Sequence, residues 1–176
     1  KPVSPYGASK LAGEGYCSAF YRSFGVQTVV LRFGNVYGPG STHKASVVAK
    51  FTKRALDGNV LEIYGDGTQT RDFIFIDDLI EAICRSVVAD RVGGETFQIA
   101  TNAETTVGEL TTDLLEALHA AGLNGVCVAH RERRVGDVQR NYSDTSKALR
   151  LLGWQSRYPL TEGLKETVQY FLKDRA

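Results

Sequence analysis

Tyr6 and Lys10 are one helical turn apart in the run Tyr6-Gly7-Ala8-Ser9-Lys10. Residues four apart share a helix face, so a phenol and an ammonium can point into one cleft. The ammonium favours phenolate and lowers a tyrosine's pKa toward values useful for proton exchange near neutral pH. Such a pair also arises by chance on solvated helix surface, and the spacing alone leaves both readings open. Arg71 is the second group with obvious chemistry. Its guanidinium matches phosphate through paired charge-assisted hydrogen bonds, or else pairs with Asp72 or another carboxylate. Asp77 and Asp78 look like a carboxylate pair, yet they precede a helical pattern and read as cap plus first-turn charge.

Cys17, Cys84 and Cys127 are odd in number, widely spaced and set in apolar stretches. They read as buried free thiols in a reducing cytoplasm. His43, His119 and His130 do not add the short paired spacing of a zinc site, so no metal is expected.

These residues need elements to hold them. Ser4 can cap a helix and Pro5 fits its first position, which predicts a helix over residues 5–24 closed by Gly25. Residues 26–33 are nearly all apolar, the pattern of a strand buried on both faces of a parallel sheet. The loop over residues 35–43 holds Gly38-Pro39-Gly40 and should be irregular. A helix is expected over 46–56. Strands are expected over 60–64 and 71–76, joined as a hairpin through Gly65-Asp66-Gly67. Asp77 should cap a helix reaching residue 89, and a strand should span 95–100. Thr106 with Glu109 forms a capping box for a helix to residue 121. A short strand over 125–129, a helix over 144–153 and a last helix from Thr161 complete an α/β order. Trp154, between Gly153 and a turn, is expected in the core.

The chain has 176 residues, a net charge of +1 and 43% hydrophobic residues. A chain of this size can bury about 70% of its unfolded surface, enough for a core. The balanced charge excludes an electrostatic case for nucleic acid or an anionic membrane. No apolar run approaches the roughly 20 residues that span a bilayer, and no secretory signal is expected before the first helix.

The Tyr6–Lys10 pair resembles the active-site Tyr-x-x-x-Lys of the short-chain dehydrogenase/reductase superfamily, in its extended NAD-dependent epimerase/dehydratase branch. The resemblance runs on through Leu31-Arg32-Phe33-Gly34-Asn35-Val36-Tyr37-Gly38-Pro39 and Ile63-Tyr64-Gly65-Asp66-Gly67-Thr68-Gln69-Thr70-Arg71-Asp72. It continues in Arg134-Val135-Gly136-Asp137-Val138, Asp144-Thr145-Ser146-Lys147-Ala148 and Leu152-Gly153-Trp154. Within the family the blocks are most similar to members that epimerise UDP-glucose at C4. The family's Gly-x-x-Gly-x-x-Gly turn and its upstream Ser or Thr do not occur, so the chain is expected to be the carboxyl-terminal half of a longer enzyme. The fold implied is α/β, an incomplete Rossmann-like layer plus a small nucleotide-sugar-binding lobe. Residues 1–34 would be a remnant of the dinucleotide-binding domain. Residues 35–176 would be mainly substrate lobe, with 77–100 returning to the dinucleotide layer.

The resemblance also implies roles. Tyr6 would take the proton of the sugar 4-hydroxyl while a hydride passes to NAD, and Lys10 would hold the nicotinamide ribose. Phe33 would lie near the nicotinamide. Arg71 and Asn35 would contact the diphosphate of a UDP-sugar, Asn35 having a turn former as its alternative. Ser46 and Val47 would offer contacts at a helix amino end. Glu62 and Tyr64 would edge the uracil. Arg134 and Asp137 match an Arg-x-x-Asp for phosphate and ribose, with solvated surface as the alternative. Gly34 departs from the aromatic residue common in the 4-epimerases. A nucleotide-sugar 4,6-dehydratase, a UDP-glucuronate decarboxylase or a noncatalytic nucleotide-sugar-binding fragment are the competing expectations. The chain alone is expected to be inactive and to self-associate, as a homodimer or otherwise, through its unpaired strand and first helix.

Overall fold

In the computed structural model, which describes residues 2, 4–134 and 136–175, helix α1 (Pro5–Phe24) opens at a Ser4 cap. The Ser4 hydroxyl oxygen accepts from the Gly7 amide at 3.0 Å, and Pro5 sits where no amide is required. Gly25 ends the helix at φ 69°, a left-handed conformation open to glycine without a Cβ penalty. Strands β1 (Val30–Phe33) and β2 (Asn35–Tyr37) come next, then helix α2 (Val47–Leu56). Strands β3 (Leu61–Tyr64), β4 (Thr70–Arg71) and β5 (Phe73–Phe75) lead into α3 (Ile76–Val88). Then follow β6 (Thr96–Ile99), β7 (Thr105–Thr106), α4 (Val107–Ala120), β8 (Val128–Arg131), α5 (Ser146–Leu152) and α6 (Leu160–Lys173). Thr106 and Glu109 form the expected capping box on α4.

Three strand pairs are parallel: β1 with β6, β2 with β5, and β3 with β8. Among the described residues only β4 with β7 is antiparallel. Parallel pairs separated by helices make this a mixed α/β fold.

Several expectations change. No hairpin joins β3 to the next strands. Asp66 Oδ1 accepts from the Thr68 amide and hydroxyl, an Asx turn that sends the chain away, and β3 pairs with β8 instead. Residues 35–37, expected to be irregular, form β2 because β5 supplies a ladder that no local pattern announces. The strand predicted over 26–33 begins at Val30, and it is not buried on both faces. Val26 and Phe33 are about half exposed, at 47% and 49%, since β6 is the only strand paired with β1 among the described residues. Phe75, not Asp77, holds the cap position of α3, with Asp77 and Asp78 in its first turn. The strand expected over 125–129 lies at Val128–Arg131. The last helix starts at Leu160, after Pro159. Cys84 and Cys127 are exposed and Cys17 is partly buried, so the thiols are free but not core groups. Cys84 lies on the open side of α3 with Ile80 and Ile83, and Cys127 precedes the mostly exposed β8. Val135 of the Arg134–Val138 block lies outside the described residues.

Among the described residues the core forms two clusters. One packs α2, α4 and α6 against β3 and β5 through Val48, Phe51, Leu61, Phe75, Leu110, Leu114, Leu164 and Val168. The other gathers Ile74, Leu79, Phe97, Ile99, Ala148 and Trp154 around β6, α3 and α5. Trp154 is buried as expected, and its indole N–H donates to the Asp78 carbonyl at 2.9 Å. The buried Asp78 carboxylate accepts from the amides of Arg157 and Tyr158, which ties the segment before α6 to α3. Helix α1 contributes no buried residue. It is held to β1 by a two-pronged Arg32–Glu14 pair at 2.7 and 2.5 Å, and by the Thr28 hydroxyl on the Cys17 carbonyl. Among the described residues no helix is long and apolar enough to cross a membrane.

Candidate functional site

A cavity of about 370 Å³ opens where β2, the start of α2, β3 and β4 converge. Asn35, Ser46, Val47, Glu62, Tyr64, Arg71, Arg134 and Asp137 all line it. They come from five separate stretches of chain, and their meeting depends on backbone contacts that can be traced. The Gly34 amide donates to the Ile99 carbonyl at 2.9 Å, and the Asn35 amide to the Asp72 carbonyl at 2.6 Å. A Cβ on Gly34 would lie 2.8 Å from the Asp72 carbonyl oxygen and 3.2 Å from Ala100 Cβ. Close backbone approach therefore favours a glycine at this position.

Arg71 is the hinge of the arrangement. Its Nη1 donates to the carbonyls of Thr70 at 2.7 Å and Val138 at 2.6 Å, and its Nη2 to Asp137 Oδ1 at 2.5 Å. Its carboxylate partner is thus Asp137, another cavity residue, and not Asp72. Asp72 is buried and committed elsewhere. One carboxylate oxygen accepts from the Thr101 amide and hydroxyl, and the other from the amides of Asn102 and Ser143. So Asp72 knots three loops behind the cavity while its neighbour Arg71 faces in.

Tyr64 carries two cations on its ring. The Arg134 guanidinium carbon is 3.8 Å from the ring centroid and the Lys50 ammonium 5.5 Å. A hydrogen bond from Arg134, then the charge of Lys50, hold the phenol below its ordinary pKa. Glu62 is engaged by Arg131 at 3.1 Å and by Arg54 at 3.6 Å. At the start of α2, Ser46 occupies the cap position without making a side-chain cap, and its buried hydroxyl has no partner among the described residues.

Tyr6, Lys10 and Phe33 do not line this cavity. Lys10 lies 5.3 Å from the Tyr6 ring centroid, so the two do share a face, but Tyr6 is 72% exposed. Gln69 and Lys50 are among the cavity residues that the sequence reading did not single out. Gln69 is buried and donates to the Tyr64 carbonyl at 2.9 Å, and Lys50 stands one turn after Ser46. The i, i+4 relation of Ser46 and Lys50 was the available signal. Among the described residues no group of three or more His, Cys, Asp or Glu is placed to hold a metal ion.

Residues 1–100 match the model of the NAD dependent epimerase/dehydratase family. The UDP-glucose 4-epimerase of Mycolicibacterium smegmatis is 36% identical over 172 residues, covering 97% of this chain and 53% of that protein. A dTDP-glucose 4,6-dehydratase of Xanthomonas campestris is 33% identical over 180 residues, covering 99% and 51%. The solved structure of UDP-glucose 4-epimerase from Thermotoga maritima with UDP-glucose superposes at a TM-score of 0.90. That enzyme is 38% identical, with 100% of this chain and 56% of the other covered. The chain spans about half the length of the curated relatives it matches.

Proposed function

Because the chain belongs to the NAD dependent epimerase/dehydratase family, we propose that it serves as the carboxyl-terminal part of a UDP-sugar 4-epimerase and that its cavity binds the substrate's nucleoside diphosphate. The observation that carries this reading is the convergence of Asn35, Tyr64, Arg71, Arg134 and Asp137 on one cavity. Similarity to a 4-epimerase solved with UDP-glucose supports the choice of ligand.

In this reading Arg71 and Arg134 bind the diphosphate, where guanidinium gives strong, directional hydrogen bonds. Asn35 and the amides at the start of α2, at Ser46 and Val47, add donors to the same anion. Asp137 keeps Oδ1 on Arg71 and offers its other oxygen to the ribose hydroxyls. The Glu62–Tyr64 edge receives the uracil. Tyr6 takes the proton of the sugar 4-hydroxyl and later returns it, and Lys10 holds a ribose.

NAD, when bound, supplies the acceptor and donor of a hydride. The exposed phenol of Tyr6, the ammonium of Lys10 and the half-exposed ring of Phe33 fit the nicotinamide-ribose end of such a dinucleotide. The sequence contains no Gly-x-x-Gly-x-x-Gly turn for its pyrophosphate. The chain is therefore expected to bind UDP-sugars without turning them over.

The domain division follows the same reading. Residues 1–34 and 77–100 belong to the dinucleotide layer, and the remainder of 35–176 is mainly substrate lobe. A cytoplasmic setting suits three free thiols. Self-association, as a homodimer or otherwise, is supported by the exposed apolar side chains of α1 and β1.

The test is calorimetric titration of the chain with UDP-glucose and dTDP-glucose. Preference for UDP-glucose, abolished in Arg71→Ala, is the expected result. Preference for dTDP-glucose would move the assignment to the dehydratases. Binding of neither would remove the substrate reading.

A further inference from the structure

Five charged side chains line the cavity: Lys50, Glu62, Arg71, Arg134 and Asp137. Their charges are not matched evenly. Arg71 is paired with Asp137, and Glu62 is taken by Arg54 and Arg131. Among the described residues, Lys50 and Arg134 make no ion pair with a carboxylate, yet both rest on the Tyr64 ring. An aromatic face offsets only part of the repulsion between two cations held close together. The arrangement is incomplete until an anion enters.

We propose that Lys50 is a further ligand-binding residue, which contacts the diphosphate and makes the cavity select a doubly charged nucleotide. The inference rests on the sugar-nucleotide reading above. A diphosphate diester carries two negative charges, one for each unmatched cation. Lys50 stands at the fourth residue of α2, with its own amide on the Ser46 carbonyl at 2.8 Å. Its ammonium and the unpartnered Ser46 hydroxyl thus belong to the first turn of one helix, whose amide end already favours an anion. A lysine there acts as a point charge, without a requirement for forked geometry.

The test is titration of the whole chain with UDP-glucose and with inorganic pyrophosphate at low and raised salt. Lys50→Gln should weaken both ligands by about tenfold or more, as expected for loss of a hydrogen bond to a charged group. Its salt dependence should also be shallower than that of the wild-type chain. Lys50→Arg should restore most of the affinity, and Lys165→Gln, a charge removed from the exposed face of α6, should change nothing. Thermal melting of Lys50→Gln at the wild-type temperature would exclude a folding defect. Wild-type affinity for both ligands in Lys50→Gln would overturn the assignment and leave the UDP-sugar reading intact. Pyrophosphate bound without UDP-glucose, and lost in Lys50→Gln, would uphold Lys50 and defeat that reading. Binding of neither ligand to the wild-type chain would overturn both.

Discussion

Gly34 shows how much of the site depends on a single missing methyl group. The Asp72 carbonyl that a Cβ would strike is also the acceptor for the Asn35 amide, so neither side can yield without moving a cavity residue. Gly34→Ala is expected to destabilise the chain by about 1–3 kcal/mol, the usual range for overpacking a tight site. Urea unfolding would measure this, and a wild-type midpoint would count against the close approach. UDP-glucose binding should weaken in the same variant because Asn35 is displaced. At this scale the chemistry was readable wherever a residue type has few uses. Arg71 stood out by type, Arg134 and Asp137 by their resemblance to a family Arg-x-x-Asp, and the structure brings them to one cavity. Lys50 did not stand out, because its meaning depends on which carboxylates are already taken. That Glu62 belongs to Arg54 and Arg131 is a fact of tertiary packing, invisible along the chain.

Helix ends were legible for the opposite reason, being set by neighbours in sequence. Ser4, Gly25 and the Thr106–Glu109 box each satisfy backbone groups within a turn of themselves. Strand partners were not legible. The Asp66-Gly67 signal marks a turn, but the ladder of β3 is completed by Val128–Arg131, far along the chain. Two helices give predictions in which competing effects must be weighed. In α6, replacing Gly163 by alanine gains about 1 kcal/mol of helix propensity. The new Cβ would meet Phe75 Cδ2 at 2.7 Å and press on the Tyr37 hydroxyl, which should cost more than that gain. Gly163→Ala should therefore lower the melting temperature. In α4, burial raises the Asp113 pKa, with Glu116 and Glu109 adding repulsion. A carboxyl whose folded pKa is raised weakens the fold as pH climbs from its unfolded value through its folded one. Asp113→Asn should consequently stabilise the chain at neutral pH and have no effect well below the carboxylate range. Melting curves at both pH values check the sign, and equal effects at both would refute it.

Across the whole molecule, apolar surface is distributed unevenly. Leu11, Tyr16, Phe20 and Phe24 are exposed on α1, and Ile80, Ile83, Val87 and Val88 on α3. Exposure on this scale favours association. Sedimentation velocity should show species larger than a monomer, and Tyr16→Glu with Phe20→Glu should return the chain to monomer. Since α1 buries no residue, that double variant should keep its fold, and an unchanged sedimentation profile would refute the role of α1. The parallel pairing has a further consequence, for the chain as it is made. Val30 waits for Thr96, and Leu61 waits for Val128, before either strand has its partner. A ribosome adds about 5–20 residues per second, so each of these strands spends several seconds with an open ladder. Loop closure over such separations also slows refolding of the finished chain. The newborn polypeptide is thus open to misassociation from the emergence of β1 until that of β8.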